Sequence, residues 1–195
     1  AEHLGELDLL INNAGIVAIP LRRNRAGHEL QLATNYLGAF ALTGVLLPLF
    51  CKGTPARIVN VGSLAHRFGQ LNVDDLNWEK TAYDQWKAYA NSKVATLSFT
   101  LELNRRLHQS GSNISALAAH PGFANTNIHR NSPALTRTNP VSKWFHKKME
   151  ALIPAAANAA RPIILAAEDG GARGGDYYGP GGLMEIGGKP VRARI

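Results

Sequence analysis

The sequence predicts an α/β fold: a doubly wound parallel sheet with helices on both faces. Three observations predict it. The segments LDLLINNAG (7–15), ARIVNVGS (56–63) and NISALAAHPG (113–122) are short apolar runs closed by turn residues, which is how strands buried on both faces read. Between them lie two longer stretches with helical periodicity, 29–50 and 83–108. Strands that alternate with helices need crossover connections, and those give a parallel sheet. With 195 residues, 45% of them hydrophobic, the chain is expected to form a single domain over 1–195.

The elements follow in order. Residues 7–15 form the first strand, and its nearly continuous apolar character is that of a central strand with a neighbour on each side. Because it arrives within ten residues of Ala1, an earlier part of the sheet is expected to be missing. Residues 29–50 read as a long helix whose apolar run, YLGAFALTGVLLPLF, is expected to be buried; interrupted by Pro48, it falls short of the roughly 20 residues a bilayer span needs. The β-branched run ARIVNVGS is the second strand. A polar excursion over 64–80 leads to a helix from about Tyr83 to His108, and NISALAAHPG is the third strand. Residues 123–142 read as a loop, VSKWFHKKMEAL and PAAANAARPIILAAED as helices, and GDYYGPGG as a last strand.

Composition narrows the function. The net charge is +7, yet the basic residues come in small groups (Arg22, Arg23 and Arg25; Arg105 and Arg106; Lys143, Lys147 and Lys148; Arg192 and Arg194) with no stripe of stacking aromatics between them. Nucleic acid is therefore not the expected partner. The single cysteine, Cys51, forbids an intrachain disulfide and points to a reducing compartment such as the cytoplasm. The seven histidines are dispersed and no GxSxG turn occurs, so neither a metal site nor that class of serine hydrolase is expected.

The chemistry concentrates in KAYANSKVATLSFTLEL (87–103). At 3.6 residues per turn Lys93 falls near the line of Leu97 and Thr100, on the buried side, one turn after Tyr89. A buried ammonium needs compensation. Beside a phenol it favours the phenolate, so Tyr89 is expected to have a lowered pKa and to act as a general acid or base. The pair Tyr83 and Lys87 has the same spacing but lies toward the polar edge and reads as ordinary surface. Ser63 ends a buried strand, where ligands bind in open α/β sheets, although a hydroxyl there also starts turns. Asn35 lies in an apolar helix, where a satisfied core amide is the commoner case.

In this order NNAG (12–15), Asn35, NVGS ending at Ser63, YANSK (89–93) and PGFANT (121–126) resemble the short-chain dehydrogenase/reductase family, with an AHRFGQ and DDL excursion similar to its retinol dehydrogenase branch. The resemblance implies a Rossmann-type fold and an NAD(P)-dependent oxidoreductase acting on a small alcohol or carbonyl, with NADP slightly favoured. It implies Tyr89 as proton donor or acceptor, Lys93 as its partner and holder of the nicotinamide ribose, Ser63 as polariser of the substrate oxygen and Asn35 as keeper of a relay water. Asn13, Ala14 and Gly15 would lie along the cofactor, with Pro121, Gly122 and Thr126 at its nicotinamide end. Phe123, Leu135, Trp144 and Phe145 suggest an apolar substrate. Gly62 stands where the family often has a second Ser.

The family's TGxxxGxG turn is not in the sequence, so these residues read as the C-terminal portion of such a reductase, the first βαβ units missing, expected to bind dinucleotide poorly alone. A homo-oligomer paired through the two long helices is a further implication, and no membrane contact is expected of this segment. The alternative is a catalytically inactive fragment serving as a basic binding module or remnant.

Overall fold

The computed structural model describes residues 5–50, 54–122, 156–185 and 187–193. Five strands form one sheet in the order β1-β2-β3-β4-β5: β1 (Leu9–Asn12), β2 (Ala56–Val61), β3 (Ile114–Ala119), β4 (Tyr177–Pro180) and β5 (Pro190–Ala193). The first four are mutually parallel, and β5 turns back antiparallel to β4. The three strands expected from 7–15, 56–63 and 113–122 are present, and GDYYGPGG supplies β4. Strand β5 carries no long apolar run, only PVRA half in solvent, and gave no signal.

Three helices dress the sheet among the described residues. Helix α1 is composite: α-helical over Leu30–Leu32, π-helical over Ala33–Leu37 and α-helical again over Gly38–Leu46. Helix α2 spans Gln85–Gln109 and α3 spans Ala156–Glu168. Asp84 caps α2 by accepting from the backbone N–H of Trp86 and Lys87, so the helix starts after Tyr83 rather than at it. The helix expected over 141–152 lies outside the described residues.

The sheet is covered on both faces. Val59, Leu117, Ala119 and Tyr178 pack with Ala166 of α3, whereas Ala118 and Tyr177 pack with Leu97 of α2. The pleat explains the division: along β3, Leu117 and Ala119 face one way and Ala118 the other.

One expectation is corrected. The run 36–50 is not uniformly buried, for Phe40 is 52%, Leu42 47% and Val45 74% exposed. A helix that is apolar all round meets neighbours here on one stripe only, through buried Leu32, Asn35 and Thr43. With its 3-10 extension it also covers 20 residues, Leu30–Leu49, long and apolar enough by composition to cross a membrane. Strand β1, for its part, sits at an edge with a single strand neighbour among the described residues. Leu10 joins the core around Ile58, while Leu9 and Ile11 on the other face are about 40% exposed.

Polar side chains also tie these elements together inside the core. Asn12 Nδ2 donates to Asn60 Oδ1 (2.8 Å) and Thr43 Oγ1 (3.0 Å), and Asn60 Nδ2 donates to Thr100 Oγ1 (3.0 Å). The ladder crosses β1, β2, α1 and α2. A fully buried amide so placed is stable only in this register, because a slip leaves its hydrogen bonds unmade. Replacing Asn60 with Ala strips partners from Asn12 and Thr100 and should lower stability by about 2 kcal/mol in denaturant unfolding; a loss within experimental error would show that the ladder contributes nothing.

Candidate active site

Helix α2 carries Tyr89, Ser92 and Lys93 past the C-terminal end of β2. Lys93 is 6% exposed, as its helical phase predicts. Its Nζ donates to the carbonyl of Val61, the last residue of β2, at 2.8 Å and stands 5.9 Å from the centre of the Tyr89 ring. Burial depresses its pKa to about 8.

Ser63 lies just beyond β2. Its hydroxyl faces the Tyr89 phenol closely enough to favour the phenolate, and its Oγ accepts from Ala65 N at 3.2 Å, capping the 3-10 turn Leu64–Phe68. The direction of the Tyr89 shift corrects the expectation from sequence. Burial raises its pKa, with the Ser63 hydroxyl working against the rise. Desolvation of the phenol dominates here, and Lys93, itself depressed by burial, does not reverse it.

Asn35 sits in the π-helical turn of α1, a distortion common at functional sites. Its Oδ1 accepts from Ile16 N (2.8 Å), and Nδ2 donates to Ile16 O (3.0 Å) and to Ser92 Oγ (2.8 Å). Both amide hydrogens are used by the protein, so the side chain staples the turn after β1 to α2. Its backbone oxygen accepts from Thr96 Oγ1 at 3.2 Å.

Gly15 completes the cluster. A Cβ there would stand 3.2 Å from Asn35 Oδ1 and 3.8 Å from Lys93 Nζ. Asn13 and Ala14 beside it are exposed, and Pro121 and Gly122 follow β3, half-buried, with Gly122 at φ +71. Thr126, and the apolar residues Phe123, Leu135, Trp144 and Phe145, lie outside the described residues. Tyr89, Lys93, Ser63, Asn35 and Gly15 thus converge at one place.

The close approach at Gly15, the exposed residues Asn13 and Ala14 beside it and a buried ammonium with unspent donors are suited to the nicotinamide ribose end of a dinucleotide. A cleft of about 420 Å³ is lined by Pro20, Leu21, Tyr83, Asp84, Gln85 and Trp86 and excludes the cluster. Side-chain convergence locates the site, not cleft size.

The control pair is corrected too. Lys87 is exposed, but the single proton of the Tyr83 hydroxyl is shared between Ile19 O (3.1 Å) and Glu29 Oε1 (3.0 Å), and its oxygen accepts from Gln31 Nε2 (2.9 Å). Helical phase did not apply to Tyr83, which precedes the helix. The sequence reading also missed Ser92, Asn60, Thr96, His120, Tyr177 and Glu185. For Ser92 the signal was available, one position before Lys93 on a buried phase; for Glu185 there was none.

A family model for short chain dehydrogenases matches residues 1–135. The chain belongs to the short chain dehydrogenase family. It is 44% identical to human retinol dehydrogenase 13 over 126 residues, which are 65% of this chain and 38% of that protein. With human retinol dehydrogenase 14 it shares 43% over 145 residues, 72% of this chain and 42% of that protein. The chain therefore spans about two-fifths of the length of these curated relatives. Among solved structures, an uncharacterized protein from Mycobacterium paratuberculosis superposes with a TM-score of 0.76 at 36% identity, covering 100% of this chain and 61% of the other. The angucycline C-6 ketoreductase LanV, solved with bound NADP, shares the fold at a TM-score of 0.60 and 21% identity, over 88% of this chain and 60% of its own. The Rossmann-type fold is thus that of the family.

Gly62 has a local explanation in this chain. A Cβ there would stand 3.3 Å from the hydroxyl of Tyr177, which is buried, so the space a larger residue would need is taken from across the sheet.

The depressed Lys93 fixes a pH dependence. Between about pH 8 and 10.5 the unfolded chain still holds the Lys93 proton while the folded one has released it, so stability rises with pH through that window. The stability of the wild type relative to Lys93→Met should climb by up to about 3 kcal/mol over that range in denaturant titrations; a flat difference would mean the ammonium is well solvated.

Proposed function

We propose that the protein carrying this chain is an NAD(P)-dependent oxidoreductase that moves a hydride between nicotinamide and an apolar alcohol or carbonyl, with Tyr89 as general acid/base. The observation that carries this reading is the buried Lys93 ammonium 5.9 Å from the centre of the Tyr89 ring, held on the last carbonyl of β2 just before Ser63. In carbonyl reduction the carbon receives a hydride and the oxygen a proton. A dinucleotide held by these residues would supply the hydride. Tyr89, whose pKa burial raises, is protonated at neutral pH and is therefore ready to act as the acid. Ser63 donates toward the oxygen on which charge develops.

Lys93 would hold the nicotinamide ribose with the donors that Val61 leaves unspent, and Asn13, Ala14, Gly15, Pro121, Gly122 and Thr126 would flank the cofactor. Asn35 positions the turn after β1, and the second lone pair of its Oδ1 is left for a relay water. NADP is favoured over NAD by the bound NADP of LanV.

An apolar substrate of the retinol class is supported by the names of the relatives and by three exposed residues: Phe68 (84%), Leu183 (89%) and Met184 (74%). They lie on two loops that an Arg67–Glu185 ion pair joins beside Ser63. The competing basic-module reading finds little support, because Arg105 and Arg106 both pair with Glu102, and Arg192 pairs with Asp169 and Asp176. The lone Cys51 favours a reducing, cytoplasmic setting.

The test is reduction of an apolar aldehyde by NADPH. Tyr89→Phe should lower kcat by about 10²–10⁴-fold with NADPH binding retained. A variant that keeps the wild-type rate would remove the phenol from the chemistry.

A further inference from the structure

We propose that Glu185 is a positioning residue for this site: its single carboxylate ties the Ser63 end of β2 to the Gly122 end of β3. The inference rests on the oxidoreductase reading above. Oε1 accepts from Arg67 Nη2 at 2.8 Å, and Arg67 belongs to the 3-10 turn that Ser63 caps. Oε2 lies 3.0 Å from His120 Nε2, off the line of a hydrogen bond. The other nitrogen of that ring, Nδ1, accepts from Gly122 N at 3.2 Å. With Nδ1 accepting, the proton of the neutral ring is on Nε2, facing the carboxylate.

The tie is held from both ends. His120 is fully buried, and a Cβ at Gly179 would overlap its ring, so the imidazole rests flush on the β4 backbone with no room to swing. Burial pushes its pKa down to about 4 against the pull of Glu185, which leaves the ring neutral. The chain delivers the carboxylate through two successive left-handed residues, Met184 at φ 54 and Glu185 at φ 57. Side chains rarely adopt that conformation, and it persists where the surroundings over-determine it.

The consequence concerns geometry at the reacting atoms. Ser63 meets Tyr89, and Gly122 borders the proposed nicotinamide end. Their separation is set by two strand ends that no backbone hydrogen bond joins beyond Gly62 N to Ala119 O (2.7 Å). The Arg67–Glu185–His120 contact spans that gap, and catalysis is sensitive to displacements of the order of 1 Å.

The experiment uses the full protein, with Glu185→Gln, Arg67→Ala and the double variant. It measures kcat and KM, and also hydrogen exchange at the Ala65 and Gly122 amides. Each single variant should lose about tenfold to a hundredfold in kcat while KM for NADPH stays within about twofold. The double variant should be no worse than the poorer single one, because both break the same tie. Exchange should accelerate at Ala65 and Gly122 together. Unchanged kcat, losses that multiply, or faster exchange confined to residues 183–185 would each overturn the proposal. If the wild type shows no turnover, the oxidoreductase reading fails; the exchange result then decides the tie alone, joint acceleration upholding it and confinement to the loop ending it.

Discussion

A buried ammonium organises this structure. Lys93 is taken out of water by α2 and returned one strong partner, the carbonyl that terminates β2. Burying such a charge is costly unless it is met, and the surroundings are built to meet it. Gly15 lacks a side chain that would crowd it, Asn35 pins the turn beside it, and Tyr89 lies a helical turn away. Each of these groups comes from a different element, so the position of the cation depends on β1, α1, β2 and α2 being correctly assembled. The reverse also holds: helix and strand cannot slide past one another without stranding a charge.

The same logic extends into the core. Asn60 is wholly buried on β2, yet it is neither orphaned nor near the reacting groups. With Asn12, Thr43 and Thr100 it replaces apolar packing by directed bonds between two strands and two helices. Thr96 and Thr100 turn their hydroxyls back onto the carbonyls of Ser92 and Thr96, so the buried stripe of α2 is polar but satisfied. Apolar contacts alone would accept small shifts in register. Directed contacts of this kind do not, and a candidate site assembled from four elements benefits from that intolerance.

Much of this was legible in the chain itself. Strands buried on both faces leave long apolar runs, and β1, β2 and β3 could be read from theirs; β5, paired on one side and half in solvent, leaves none. Lys93 announced itself because a charge on an apolar helical phase is an anomaly. Tyr83 was misread because a phase argument was carried past the helix start set by Asp84. The pKa direction of Tyr89 was misread for another reason: spacing reveals a neighbouring charge but not the depth of burial, and depth prevails. The clustering of His120, Tyr177 and Glu185 depends on contacts between residues far apart in sequence, which no local pattern records.

The π-helical turn of α1 has an evolutionary and practical corollary. It accommodates one residue more than regular winding would, so the segments before and after it are out of phase with each other. The turn itself presents Asn35 to Ile16 and Ser92, and the segment after it presents Thr43 to Asn12. Excising one position from 33–37 would restore even winding and swing everything downstream by about 100°, breaking one of those two docking arrangements whichever half kept its place. Length in this short window is therefore constrained as tightly as the identity of Asn35 within it, and sequence design on this scaffold can neither delete a position there nor replace that amide without undoing a docking arrangement.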